Sequence, residues 1–142
     1  MLNLIKKSKK LIIKNSLKPK VFLVLFSLFF SSLALAEPTF IADFDISSDE
    51  SSATGITFKP DGTKMYITGI GAAKILQYNL TTAFDITSAT LEKSVAIGAR
   101  ESKPEDVKFN SDGTVIFILG TENSRNGIDR WSLSTPYDIG SI

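Results

Sequence analysis

Neither cysteine nor histidine occurs anywhere in the 142 residues. Without thiols no disulfide can staple the chain, so stability has to come from packing. Without imidazole the usual general base and the commonest transition-metal ligand are missing. Catalysis would therefore have to use carboxylates, or a cation held by oxygen ligands. Long apolar runs are scarce too. The one extended run, from Val21 to Ala36, covers about 16 residues, short of the roughly 20 that a spanning helix needs.

That run sits in a recognisable setting. Lys6, Lys7, Lys9, Lys10, Lys14, Lys18 and Lys20 precede it, and Ala34-Leu35-Ala36 closes it with small residues. A basic leader, a short apolar core and an A-x-A site define a secretory signal peptide. The expectation is cleavage after Ala36, no stable membrane insertion afterwards, and a secreted or periplasmic mature chain.

Removing residues 1–36 changes the charge balance. All 15 acidic residues but only 9 of the 16 basic ones follow Ala36, so the mature chain carries 9 − 15 = −6. An acidic chain without a basic stripe argues against nucleic acid as a partner.

What the mature chain does contain is a repeat. Thr57-Phe58-Lys59-Pro60-Asp61-Gly62-Thr63-Lys64-Met65-Tyr66 returns as Lys108-Phe109-Asn110-Ser111-Asp112-Gly113-Thr114-Val115-Ile116-Phe117, displaced by 51 positions. A repeat of this length signals stacked supersecondary units. Within each copy, Asp-Gly marks a tight turn: Asp bonds its own backbone and Gly accepts the left-handed conformation, with Pro60 presetting φ in the first copy.

Period-two alternation at 40–46 puts Phe40, Ala42, Phe44 and Ile46 on one side and Asp43 and Asp45 on the other, which predicts a half-buried strand. Further strands are expected at 55–59, 64–68 and 75–80. The second unit repeats them at 91–97, 105–109, 115–119 and 128–133, where the displacement grows to 53. The extra residues fall in the loop 121–127, as a structural repeat tolerates. Thr81 to Ile86 and Ser134 to Ile139 also match, 53 apart. The expected fold is all-β: two four-stranded antiparallel units, one over 37–90 and one over 91–142, the latter including the start of a further unit. Four short strands in about 50 residues make a propeller-type blade.

The stretch from Phe58 to Ile67 resembles the signature hairpin of secreted bacterial propeller repeats, the YVTN-type and Tol-system-type F-x-P-D-G repeats. The second copy keeps Phe109, Asp112, Gly113 and Phe117 but has Asn110-Ser111 in place of Lys-Pro. The resemblance implies a β-propeller and leaves activity open, because such propellers include binding proteins, scaffolds and a few lactonases. Known propellers close with four or more blades, so further blades or self-association are expected to complete the ring. A fragment of a longer protein is the favoured explanation of the two copies.

Candidate sites are few. Pro60, Asp61, Gly62, Asp112 and Gly113 read as structural turns before they read as calcium ligands. Asp43, Asp45, Asp49 and Glu50 begin like a calcium loop, but Ser48 and Thr54 stand where its Gly and Glu are required. Gly69-Ile70-Gly71 lacks the Lys and the strand-to-helix context of a phosphate loop. Phe58, Phe109, Tyr66, Phe117, Tyr78 and Trp131 are repeated aromatics read as packing between units, with sugar stacking by Tyr78 and Trp131 the alternative. Glu101, Glu105 and Asp106 are the one acidic group that could line a propeller mouth; a solvated loop is the simpler reading. No catalytic residue, metal ligand or cofactor is assigned. The expected role is a non-catalytic binding or scaffold module for a protein, glycan or surface polymer. The alternatives are part of a lactonase-like hydrolase with a metal at the central mouth, or an array segment of a surface or phage-like adhesin.

Overall fold

The computed structural model describes residues 37–122 and 126–142. Residues 41–142 form one compact unit. Strands β1 (Ala53–Phe58), β2 (Lys64–Gly69), β3 (Lys74–Leu80) and β4 (Ala89–Ala96) make an antiparallel sheet in that order. Strands β5 (Pro104–Phe109), β6 (Val115–Gly120) and β7 (Gly127–Ser132) make a second, three-stranded sheet. The leader 1–36 lies outside the described residues.

The 51-residue displacement carries β1 onto β5 and β2 onto β6 end for end. The repeat extends to single hydrogen bonds, with the displacement 51 at the turns and 53 from β3 to β7. The Gly62 amide donates to the Lys59 carbonyl and Gly113 to Asn110; Leu80 donates to Thr63 and Leu133 to Thr114. Both first strands carry a bulge at the same place, between Ala53 and Gly55 and between Pro104 and Asp106. A bulge re-aims a side chain, and the residue it frees in β1, Thr54, reaches the second sheet: its hydroxyl donates to the Pro104 carbonyl at 2.6 Å.

Two expectations need correction. Residues 40–46 are not a strand, although Ala42, Phe44 and Ile46 are half-buried while Ile41, Asp43 and Asp45 are exposed. Alternation reports which side faces the core, and a strand also needs a ladder partner; the segment has none among the described residues. Its repeat counterpart, 91–97, was expected to open the second unit. Most of it lies in β4, which pairs back onto β3 with Ile75 opposite Val95 and Gln77 opposite Lys93. The two sheets accordingly have four and three strands in place of four and four.

The core lies on both faces of the first sheet. One face packs Tyr66 and Ile75 against Val107, Ile116 and Ile118 of the second sheet, with Ile97, Leu133 and Ile139 filling the edges. The opposite face gathers Met65, Ile67, Leu76, Tyr78 and Leu80 under Phe44, Ile46 and Ile86. The apolar run in β2 is buried on both sides for this reason. Each such aliphatic side chain contributes about 1.5–3 kcal/mol on burial, against about 1 kcal/mol for a typical hydrogen bond. The eight buried residues between the sheets therefore outweigh the few polar links that set their register.

Candidate functional site

The residues with the richest local chemistry gather at the turns and at the loops entering β1 and β5. At the first hairpin Gly62 has φ 73°, a conformation that costs a residue with a Cβ. Asp61 Oδ1 accepts from the Thr63 amide at 3.0 Å and from its hydroxyl at 2.7 Å. Asp112 holds Thr114 in the same way at 3.0 and 2.6 Å. The Lys59 ammonium lies 2.7 Å from Asp61, and that contact, with Thr63, holds the Asp61 carboxyl well below the usual range. In both turns the Asp Oδ1 is engaged by the Thr two residues on.

Above each turn lies an aromatic residue. The Phe84 amide donates to the Gly62 carbonyl and the Tyr137 amide to Gly113. Both aromatics adopt positive φ, 61° and 59°, and their rings lie over the glycines: a Cβ on Gly62 would fall 2.4 Å from the Phe84 ring. A positive φ at a bulky residue is unusual and persists only where surroundings enforce it. Here the amide bond and the ring contact enforce it. The 81–86 and 134–139 match in the sequence is the trace of this lid.

Among the described residues three acids are buried: Asp129, which accepts from Arg100 at 2.8 Å, and Glu50 and Glu101, 4% and 2% exposed and 51 positions apart. Glu50 accepts from the amides of Ser52 and Gly71 at 2.9 Å each and Ala72 at 3.3 Å. It ties the loop before β1 to the turn between β2 and β3. Glu101 accepts from the Lys103 amide at 2.9 Å. Neighbouring glycines make the room, since a Cβ on Gly69 would lie 2.5 Å from Glu50 Cγ, and one on Gly120 2.2 Å from Glu101 Cδ.

The acids expected at a mouth do not converge. Glu101 is buried under Gly120, while exposed Glu105 accepts from the Thr121 hydroxyl at 3.1 Å. Asp106 accepts from the Val107 amide at 2.8 Å and lies 3.3 Å from Lys108. Among the described residues no group of three or more His, Cys, Asp or Glu side chains is placed to hold a metal ion. Asp43 and Asp45 are exposed, and Asp45 accepts from the Ser47 amide at 2.9 Å.

The repeated aromatics are packed. Tyr78 is fully buried, edge-on to Phe44 at 5.7 Å. Its hydroxyl donates to Asp49 at 2.8 Å; burial, and then this bond, push the phenol up. Half-buried Trp131 packs against the core between the sheets. Tyr66 and Phe109 meet there at 4.5 Å, and Phe109 and Tyr137 at 5.3 Å. Phe58 touches Phe84 at 5.8 Å, and Phe117 is half-buried on the outer side of β6. Tyr78 has no face free for a sugar ring.

A groove of about 340 Å³ is lined by Ile41, Ala42, Ala83, Phe84, Asp85 and Ile86. A smaller groove, of about 240 Å³, is lined by Ile46, Ala53, Thr54, Gly55, Ile56 and Ile67. On the far side of the second sheet Leu119 and Ile128 are exposed, at 41% and 68%. Comparison with known proteins finds no matching family model, curated protein or solved structure.

Proposed function

We propose that the chain is an exported β-propeller-type repeat module, with a non-catalytic binding or scaffold role toward a protein, glycan or surface polymer. The observation that carries this reading is the use of the acids. Asp61 and Asp112 close turns, and Glu50 and Glu101 hold loop amides. A carboxylate already engaged by its own loop's donors is a poorer general base and a poorer cation ligand than a free one. The matched hairpins and the face-to-face sheets support a propeller-type repeat, because blades stack in this manner.

The test uses the exported full chain. Calorimetry with calcium, and lactone hydrolysis with and without a chelator, should give no metal heat and no chelator-sensitive turnover. Binding to at least one class on a panel of surface glycans and envelope proteins is the expected positive result. Chelator-sensitive lactone hydrolysis would overturn the reading in favour of the hydrolase. Export is tested separately by sequencing the amino terminus, expected at Glu37.

A further inference from the structure

We propose that a second copy of this chain docks on the second sheet, its residues 41–46 adding antiparallel to β7 as the fourth strand. This inference goes beyond the functional reading and stands on strand equivalence, whatever the module binds.

Each half of the interface between the two sheets occurs twice, once covered and once open. Ile75 on β3 is 0% exposed against the second sheet; its repeat counterpart on β7, Ile128, is 68% exposed. Thr68 on β2 is 0% exposed, and its counterpart on β6, Leu119, is 41% exposed. These residues belong to the face that looks onward along the stack. The face that looks back shows the converse. Val107 on β5 is 0% exposed beneath the first sheet, whereas its counterpart on β1, Ile56, is 49% exposed and lines the smaller groove. The described residues thus expose two surfaces that are the two sides of the interface already within them. Surfaces so related join different copies head to tail.

The backbone repeats the argument. The first sheet is completed by β4, and the second has three strands among the described residues, which leaves β7 as an edge there. An unpaired edge is a template for another strand. Residues 41–46 are the repeat counterpart of 92–97 and have no ladder partner among the described residues. Carrying the β3–β4 register across by the two displacements sets Phe44 opposite Ile128, Asp43 opposite Asp129 and Ala42 opposite Arg130. Facing carboxylates weaken a ladder. Arg100 Nη2, 2.8 Å from Asp129, supplies the neutralising charge at that step. Phe44 and Ile46 already pack on the backward face of their own copy, as Val95 and Ile97 do on the second sheet, so donation needs no repacking of the core.

The absence of native cysteine makes the register directly testable in the exported full chain. Ala42→Cys and Arg130→Cys are made on separate copies, mixed and mildly oxidised. A disulfide-linked heterodimer from the mixture, and none from either variant alone, is the expected result. Ile128→Asp, at an exposed position, should reduce the native mass to that of one chain while leaving the far-ultraviolet dichroism unchanged. Three results would overturn the proposal: a parent chain of single-copy mass, an Ile128→Asp variant with the parent's mass, or Arg130→Cys linking to an unrelated protein while Ala42→Cys stays unlinked.

Discussion

The Tyr66 hydroxyl donates to the Tyr137 carbonyl at 2.6 Å, joining a residue of the first repeat to one 71 positions later. Nearby, the Ile139 amide donates to Gln77 Oε1 at 3.0 Å, and Lys93 on β4 holds Asp138 at 2.5 Å. The last residues of the second repeat are thus fastened to the first sheet. The counterpart of Tyr66 is Phe117, half-buried and without a hydroxyl, on a face that meets no third sheet within the described residues.

Tyr66→Phe should destabilise the chain by about 1 kcal/mol, the usual worth of one buried hydrogen bond. Burial raises the Tyr66 phenol above its ordinary 10.0. A raised folded value means stability is present below the unfolded value and lost as pH rises beyond it. Denaturant titrations at neutral and strongly alkaline pH check both points. The variant should lose less stability at high pH than the parent; an equal loss would contradict the assignment.

Gly62→Val should cost about 1 kcal/mol or more, because a β-branched residue resists positive φ and its Cβ meets the Phe84 ring. Gly62→Val combined with Phe84→Ala removes the ring overlap but keeps the φ penalty. A double variant less stable than the Gly62→Val single variant would contradict the steric part of the account.

Glu50→Ala leaves three loop amides without their acceptor. Buried donors left unsatisfied cost about 1–3 kcal/mol, so a loss within that range is expected in chemical denaturation. Hydrogen exchange provides the specific readout. The amides of Ser52, Gly71 and Ala72 should exchange faster while those of β6 do not; uniform acceleration would indicate global destabilisation instead.

Acid should destabilise the fold. The Lys93 ammonium holds Asp138 below its ordinary 3.8, and Lys64 and Gln77 hold Glu92 below 4.5. A depressed folded value gives stability that is present above the unfolded value and lost as pH falls through the folded one. Stability should be level near neutral pH and decline below about 4. Asp138→Asn should shrink that decline; an unchanged acid limb would exclude Asp138 as a contributor.

These residues differ in how far the sequence announced them. The Asp-Gly turns were legible because the chemistry is local: Asp61 and Gly62 need nothing beyond neighbouring backbone. The all-β character followed from alternation and the repeat. Pairing was less legible. Residues 91–97 precede the second hairpin in sequence yet close the first sheet, and no local pattern distinguishes those two memberships. Residues 40–46 alternate correctly but find no partner. Glu50 and Glu101 were visible only as members of two acidic loops, since their burial depends on a loop folding over Gly69 or Gly120. Phe84 and Tyr137 were visible as a match without a role, because a ring over a glycine turn is a tertiary contact.

The native mass of the exported chain tests most directly the claim that its two open faces are halves of one repeated interface. The account predicts an assembly of two or more copies that Ile128→Asp returns to single chains. A parent of single-copy mass that melts in one sharp cooperative transition would contradict it.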